Sequence, residues 1–347
     1  MEQQERNAKA ETGREQWLDA AKGIGIVVVM IAHGCGIPVL GVYLGACCMC
    51  MYFMLAGYTY KEESNRIFFK KKSQRLLIPY MVYGVVAVTI YQIFIPRFTT
   101  NEIVMNYVGL LYSRYSLYPY GITPNVYFFR CANSALWFLT AIFMGYMLTQ
   151  FYYKVKTQWR IGMFFLYLLL TVMLARLPIL LPWSVDTAFL SALFMITGRF
   201  FRQKGVFALR GKQRWVILLI SLALYIPLVY LNGPGNLSVR DYGALGMFRI
   251  PIFYITGVTG TLIYAVTSQL LEKGRIISLA AVLGRNTITL LCTHAIIFEM
   301  VKLVMKEYAS NTYLFTVIAM AISFLVCAGI AAVKKRCSRQ IGFVKWL

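Results

Sequence analysis

The sequence predicts an all-α, polytopic membrane helix bundle of about ten transmembrane helices with both termini cytoplasmic. Three observations carry that prediction. The 347 residues are 59% hydrophobic and only 14% charged. Apolar runs of about 20 residues, the length a helix needs to cross a bilayer, recur along the whole chain. The basic residues fall unequally on alternate connections, as the positive-inside rule requires of a membrane-spanning chain.

Taken in order, the spans run near Leu18–Leu40, Val42–Tyr60, Leu76–Ile95, Leu136–Tyr153, Ile161–Leu181, Thr187–Phe201, Trp215–Leu231, Ile250–Leu271, Thr287–Leu303 and Leu314–Val333. The sixth is short. An even count puts both termini on one side of the membrane. With the N-terminus cytoplasmic, the inner segments hold 27 of the 35 lysines and arginines. The first span has a polar N-terminal flank of mixed charge and no small-residue cleavage site after Lys22, so it reads as an uncleaved anchor.

A single domain over residues 1–347 is expected. Its parts are a polar cytoplasmic segment at 1–15, a long extracytoplasmic segment at 96–134 and a short cytoplasmic tail at 334–347. Little chain follows the tenth span, so no fused extracytoplasmic domain is expected. The 96–134 segment has three prolines and six tyrosines. Within it, "TTNEIVMNYVGLLYSRY" joins polar cap residues to helix-like apolar spacing, which predicts a helix along the membrane surface. Its tyrosines fit an interfacial belt or a sugar-stacking platform.

A net charge of +22 would suggest nucleic acid in a soluble protein, but here the charge lies in membrane-flanking loops. Anionic lipid of the bilayer is the expected partner, and nucleic acid is not. Cys47 and Cys50 have CxxC spacing without a second pair or a nearby histidine; they read as small apolar helix residues, and no metal is expected. The halves show no internal repeat and no matched broken helices of the kind transporters carry.

Chemistry concentrates in the first span, "WLDAAKGIGIVVVMIAHG" (Trp17 to Gly34). Lys22 and His33 are eleven residues apart, so they share one helix face about 16 Å apart. Asp19 lies near the same stripe. Trp17 marks the inner interface, which puts His33 about 24 Å higher, toward the outer leaflet. Ionisable groups at such depth are costly and usually face a bundle interior or a watery cavity. A neutral imidazole there can accept a proton from a hydroxyl. The stripe equally fits a lysine that snorkels inward and a histidine that caps the outer surface.

This stretch resembles the first-helix signature of the acyltransferase 3 family, membrane-bound O-acyltransferases that modify bacterial envelope sugars. The family pattern is a basic residue, ten intervening residues, then histidine, and Lys22 and His33 match it. Further pieces follow in family order: "FMLAGY" (Phe53–Tyr58), "FFKKKSQRLLIPY" (Phe68–Tyr80), "ALWFL" (Ala135–Leu139) and "GRNTITLLCTH" (Gly284–His294). Many members carry arginine where Lys22 stands. The lysine form after "WLD" is more like sugar O-acetylases such as the fucose acetylases.

The resemblance implies a cytoplasmic acyl-CoA donor, acetyl-CoA above all, and a glycan or lipid-linked sugar acceptor outside the bacterial cytoplasmic membrane. It implies His33 as general base, by direct transfer or through an acyl-His33 intermediate. It implies Lys22 as a stabiliser of negative charge on the donor or a hold on its phosphopantetheine arm, with Asp19 pairing Lys22 or fixing the helix end. Lys72 and Arg75 fit the family's basic-x-x-basic pattern, with Lys71 beside them. In the loop Lys61–Arg75 they suit either coenzyme phosphates or anionic lipid. Trp137, Asp186 and His294 are acceptor-side candidates. Each also has a plainer reading: interfacial tryptophan, helix cap and packing histidine. Glu299 is placed to pair with Lys302 at i,i+3. The rival functions are a proton-coupled transporter or flippase and a non-catalytic membrane subunit.

Overall fold

A computed structural model describes residues 15–34, 38–94, 99–128, 130–208, 211–272 and 274–340. The polar N-terminal segment up to residue 14 and the last seven residues of the predicted tail lie outside that range. Among the described residues there are fourteen α-helices: α1 (Gln16–Gly34), α2 (Pro38–Tyr43), α3 (Cys48–Tyr58), α4 (Asn65–Lys72), α5 (Ile78–Phe94), α6 (Thr100–Tyr112), α7 (Arg130–Lys154), α8 (Arg160–Leu174), α9 (Val185–Gln203), α10 (Lys212–Asn232), α11 (Arg249–Leu270), α12 (Arg275–Arg285), α13 (Thr287–Met305) and α14 (Thr312–Gln340). Ten stretches of the described residues are long and apolar enough to cross a membrane, and each overlaps one of the predicted spans. The sixth, expected to be short, is 22 residues long, because its helix is entered through the turn at Pro182–Ser184.

Two reciprocal glycine crossings set the centre of the bundle. A Cβ on Gly23 of α1 would meet the Ala280 carbonyl of α12 at 1.8 Å, and one on Gly284 of α12 would meet the Asp19 carbonyl at 1.7 Å. Gly57 of α3 and Gly198 of α9 face Met195 and Met54 in the same way, each at 1.9 Å. Without side chains between them the backbones approach closely, which is how helices associate where no water drives them together. The Tyr52 hydroxyl donates to the Lys22 carbonyl at 2.7 Å and ties α3 to α1.

The second span is interrupted. Residues 44–47 form a turn between α2 and α3, which frees the Leu44 carbonyl from helical bonding. It accepts instead from the Cys48 thiol at 3.1 Å and the Tyr264 hydroxyl at 3.0 Å. Cys47, Cys48 and Cys50 are buried around this turn.

The expected loop Lys61–Arg75 is largely helical. α4 runs into α5 through a π turn at Ser73–Leu77, where the Ile78 N–H bonds back to the Ser73 carbonyl. Pro79 gives a reason. It offers no N–H to the Arg75 carbonyl, and its ring would clash there in a regular helix; the wider turn relieves both. The predicted surface helix is α6, closed by a capping box in which Thr99 and Glu102 bond each other's backbone N–H.

The spans alternate between two ends. At the basic end, Arg202 and Arg199 of α9 donate to the Tyr58 and Tyr60 carbonyls at 3.3 and 3.0 Å, and Trp17 packs on Phe207. At the other end α6 and the 233–248 connection close over the bundle.

Candidate active site

At the end remote from the basic loops, the tips of α1, α3, α7 and α13 splay around a cavity of about 620 Å³. His33 stands in its wall and is exposed to it. Ile26 and Met30, nearer the basic end on the same face of α1, are fully buried in the core, so the face opens to the cavity only in its last turn, at His33.

Behind that wall sits His294 of α13, with no exposed surface. Its ring centroid is 5.4 Å from that of His33, with the planes tilted by 54°. His294 Nδ1 lies 2.9 Å from the Leu290 carbonyl, one turn back on its own helix. A carbonyl only accepts, so Nδ1 carries the proton and Nε2 keeps the lone pair of a neutral imidazole. That Nε2 is buried and has no hydrogen-bond partner among the described residues. The sequence offered His294 as a residue that orients a substrate or supports His33, with a hydrogen-bonded packing histidine as the plainer reading; the structure buries it beside His33 with its Nδ1 on the Leu290 carbonyl.

Trp137 of α7 is buried and lines the cavity. Asp186 does not line it. This carboxylate lies between two buried arginines, paired with Arg114 through Oδ1 and standing 3.2 Å from Arg240 Nε through Oδ2. It also accepts from the Leu181 N–H at 3.3 Å. Burial lowers the Arg240 pKa, and the Asp186 charge beside it works the other way. Arg114 in turn donates to the Ser238 carbonyl at 2.8 Å, and Arg240 to the Leu177 carbonyl at 2.5 Å. Asp186 therefore clamps the 234–238 segment, which forms one wall of the cavity, onto α9. The helix entrance suggested an N-cap, with a sugar-hydroxyl contact as the sharper alternative; in the structure both carboxylate oxygens of Asp186 face the clamp.

The sequence reading missed the clamp's arginines and the wall they hold. It also assigned Glu299 to an ion pair with Lys302. Among the described residues that pair does not form, and Glu299 faces the cavity.

Asp19 and Lys22 share the His33 helix but not its cavity. Asp19 is buried beside the α1–α12 crossing, and Lys22 is half-buried about three turns from His33. The basic residues of α4 and the π turn are further removed. Lys71 pairs with Glu63 at 2.6 Å, Lys72 Nζ stands 3.4 Å above the Tyr146 ring, and Arg75 is exposed. Of these cations, Arg75 and Lys71 are open to an anion from the basic end.

A family model described as an acyltransferase domain, that of acyltransferase 3, matches residues 15–332. No curated protein and no solved structure matches the chain.

Proposed function

The chain belongs to the acyltransferase 3 family and is a multi-pass membrane acyltransferase, and we propose that it moves an acetyl group from cytoplasmic acetyl-CoA to a hydroxyl of an extracytoplasmic glycan or lipid-linked sugar. The observation that carries this reading is His33 itself: an imidazole open to a 620 Å³ cavity, backed by a second imidazole whose lone pair is unused.

In the proposed reaction the acceptor enters the cavity and presents a hydroxyl to His33. Nε2 of His294 accepts an N–H from His33, which leaves the other His33 nitrogen as the base. That nitrogen removes the hydroxyl proton while the oxygen attacks the thioester carbonyl. The tetrahedral adduct collapses with loss of the coenzyme thiolate, and His33 returns the proton to it. The products are the acetyl ester and the free thiol. Lys22 holds the coenzyme arm along α1, and Arg75 and Lys71 pair with its phosphates at the basic end. The positive-inside distribution supports placing that end in the cytoplasm, here the cytoplasmic side of a bacterial inner membrane.

The test compares envelope glycans from cells carrying the wild-type gene, no gene and His33→Ala. O-acetylation present only in the first supports the reading. Equal acetylation in all three overturns it.

A further inference from the structure

The cavity wall holds one carboxylate, and the reaction proposed above does not use it. Glu299 lies five residues beyond His294 on α13, about 7.5 Å further from the basic end. Among the described lining residues it is the only acid, and none is a lysine or arginine. It forms no ion pair and no hydrogen bond with any described residue. The same cavity is lined by six aromatic side chains: Tyr91, Tyr115, Trp137, Phe138, Phe253 and Phe298.

A carboxylate at membrane depth is costly to insert, and this one has no partner among the described residues to offset the cost. An ionised carboxylate only accepts hydrogen bonds, up to four of them, and repels like charge. Aromatic faces suit the C–H faces of a sugar ring, while its hydroxyls need acceptors. We infer that Glu299 is a specificity-determining residue: it accepts hydrogen bonds from neighbouring hydroxyls of an uncharged sugar and excludes anionic sugars such as uronates. The inference rests on the cavity's being the acceptor site, and it adds the charge class of the acceptor.

The test uses full-length protein in nanodiscs and the accessibility of His33 to diethylpyrocarbonate, read at that residue by mass spectrometry. The probes are methyl glucoside and methyl galactoside, each paired with its uronate. Uncharged glycosides slow His33 modification in the wild type, and the uronates do not. In Glu299→Gln the glycoside concentration giving half-protection rises about tenfold, the scale of a charge-assisted hydrogen bond, and the discrimination against uronates is lost. An unchanged modification rate without sugar shows that the variant is folded. Equal protection by uronates, no protection by any of the four, or identical behaviour of Glu299→Gln and wild type overturns the assignment. Turnover of labelled acetyl-CoA by the same preparation is scored separately. Loss of the acyl-transfer reading therefore leaves the protection result standing, and the converse also holds.

Discussion

His33 and His294 hold their rings 5.4 Å apart on neighbouring helices, one open to the cavity and the other sealed behind it. The helical bond from His294 Nδ1 to Leu290 fixes which nitrogen faces onward as an acceptor. On the proposed reaction His294 is a positioning residue that acts through His33.

His294→Ala is expected to lower kcat by about 10²-fold, with the acceptor KM little changed, because general-base efficiency falls while the cavity keeps its shape. His294→Gln, whose amide oxygen can take the Nε2 position, recovers part of that loss. Steady-state transfer of labelled acetyl groups checks both. A loss seen in KM alone would show that His294 serves binding.

Asp186→Asn leaves two buried guanidinium groups without their counter-charge. Removing one partner of a buried ion pair costs roughly 3–5 kcal/mol, so the variant should unfold well below wild type in a thermal scan in detergent. His33→Ala, which touches no part of the clamp, should melt with the wild type.

Gly284→Val puts a side chain where the Asp19 carbonyl already stands. Overpacking of this kind costs about 1–3 kcal/mol or more, and the expected result is a lower melting temperature with loss of transfer. Gly329→Ala on α14 meets nothing within 4 Å and is the control; it should leave stability unchanged or raise it by up to about 1 kcal/mol.

Arg75→Ala should raise the KM for acetyl-CoA about tenfold and leave kcat near wild type, the pattern of an interaction made equally before and during reaction. Lys71→Ala should do less, because its ammonium is already shared with Glu63. Titration with acetyl-CoA at two salt concentrations measures both effects.

All ten spans were legible because hydropathy over about 20 residues is a property of each segment alone. The His33 face was legible for a similar reason, since helical phase is local. What escaped depends on which helices become neighbours. Arg114, Asp186 and Arg240 are separated by scores of residues, and no spacing rule joins them. Glu299 was given to Lys302 because i,i+3 spacing permits that pair, yet the helix turns this residue toward the cavity. The Lys61–Arg75 segment was read as a loop from its charge, while the π turn before Pro79 lets a helix pass through it.

The layer between Lys22 and His33, where Ile26 and Met30 are fully buried, has an electrical consequence. It spans about 16 Å, roughly half of a bilayer's ~30 Å hydrocarbon thickness. A charge crossing it would gain or lose on the order of 1 kcal/mol per 100 mV of membrane potential. On the proposed route the proton taken by His33 leaves on the coenzyme thiol at the same depth, so turnover carries no charge through the layer. Acetyl transfer would then run at the same rate in energised and de-energised membranes, with the bundle acting as an insulator around a neutral cargo.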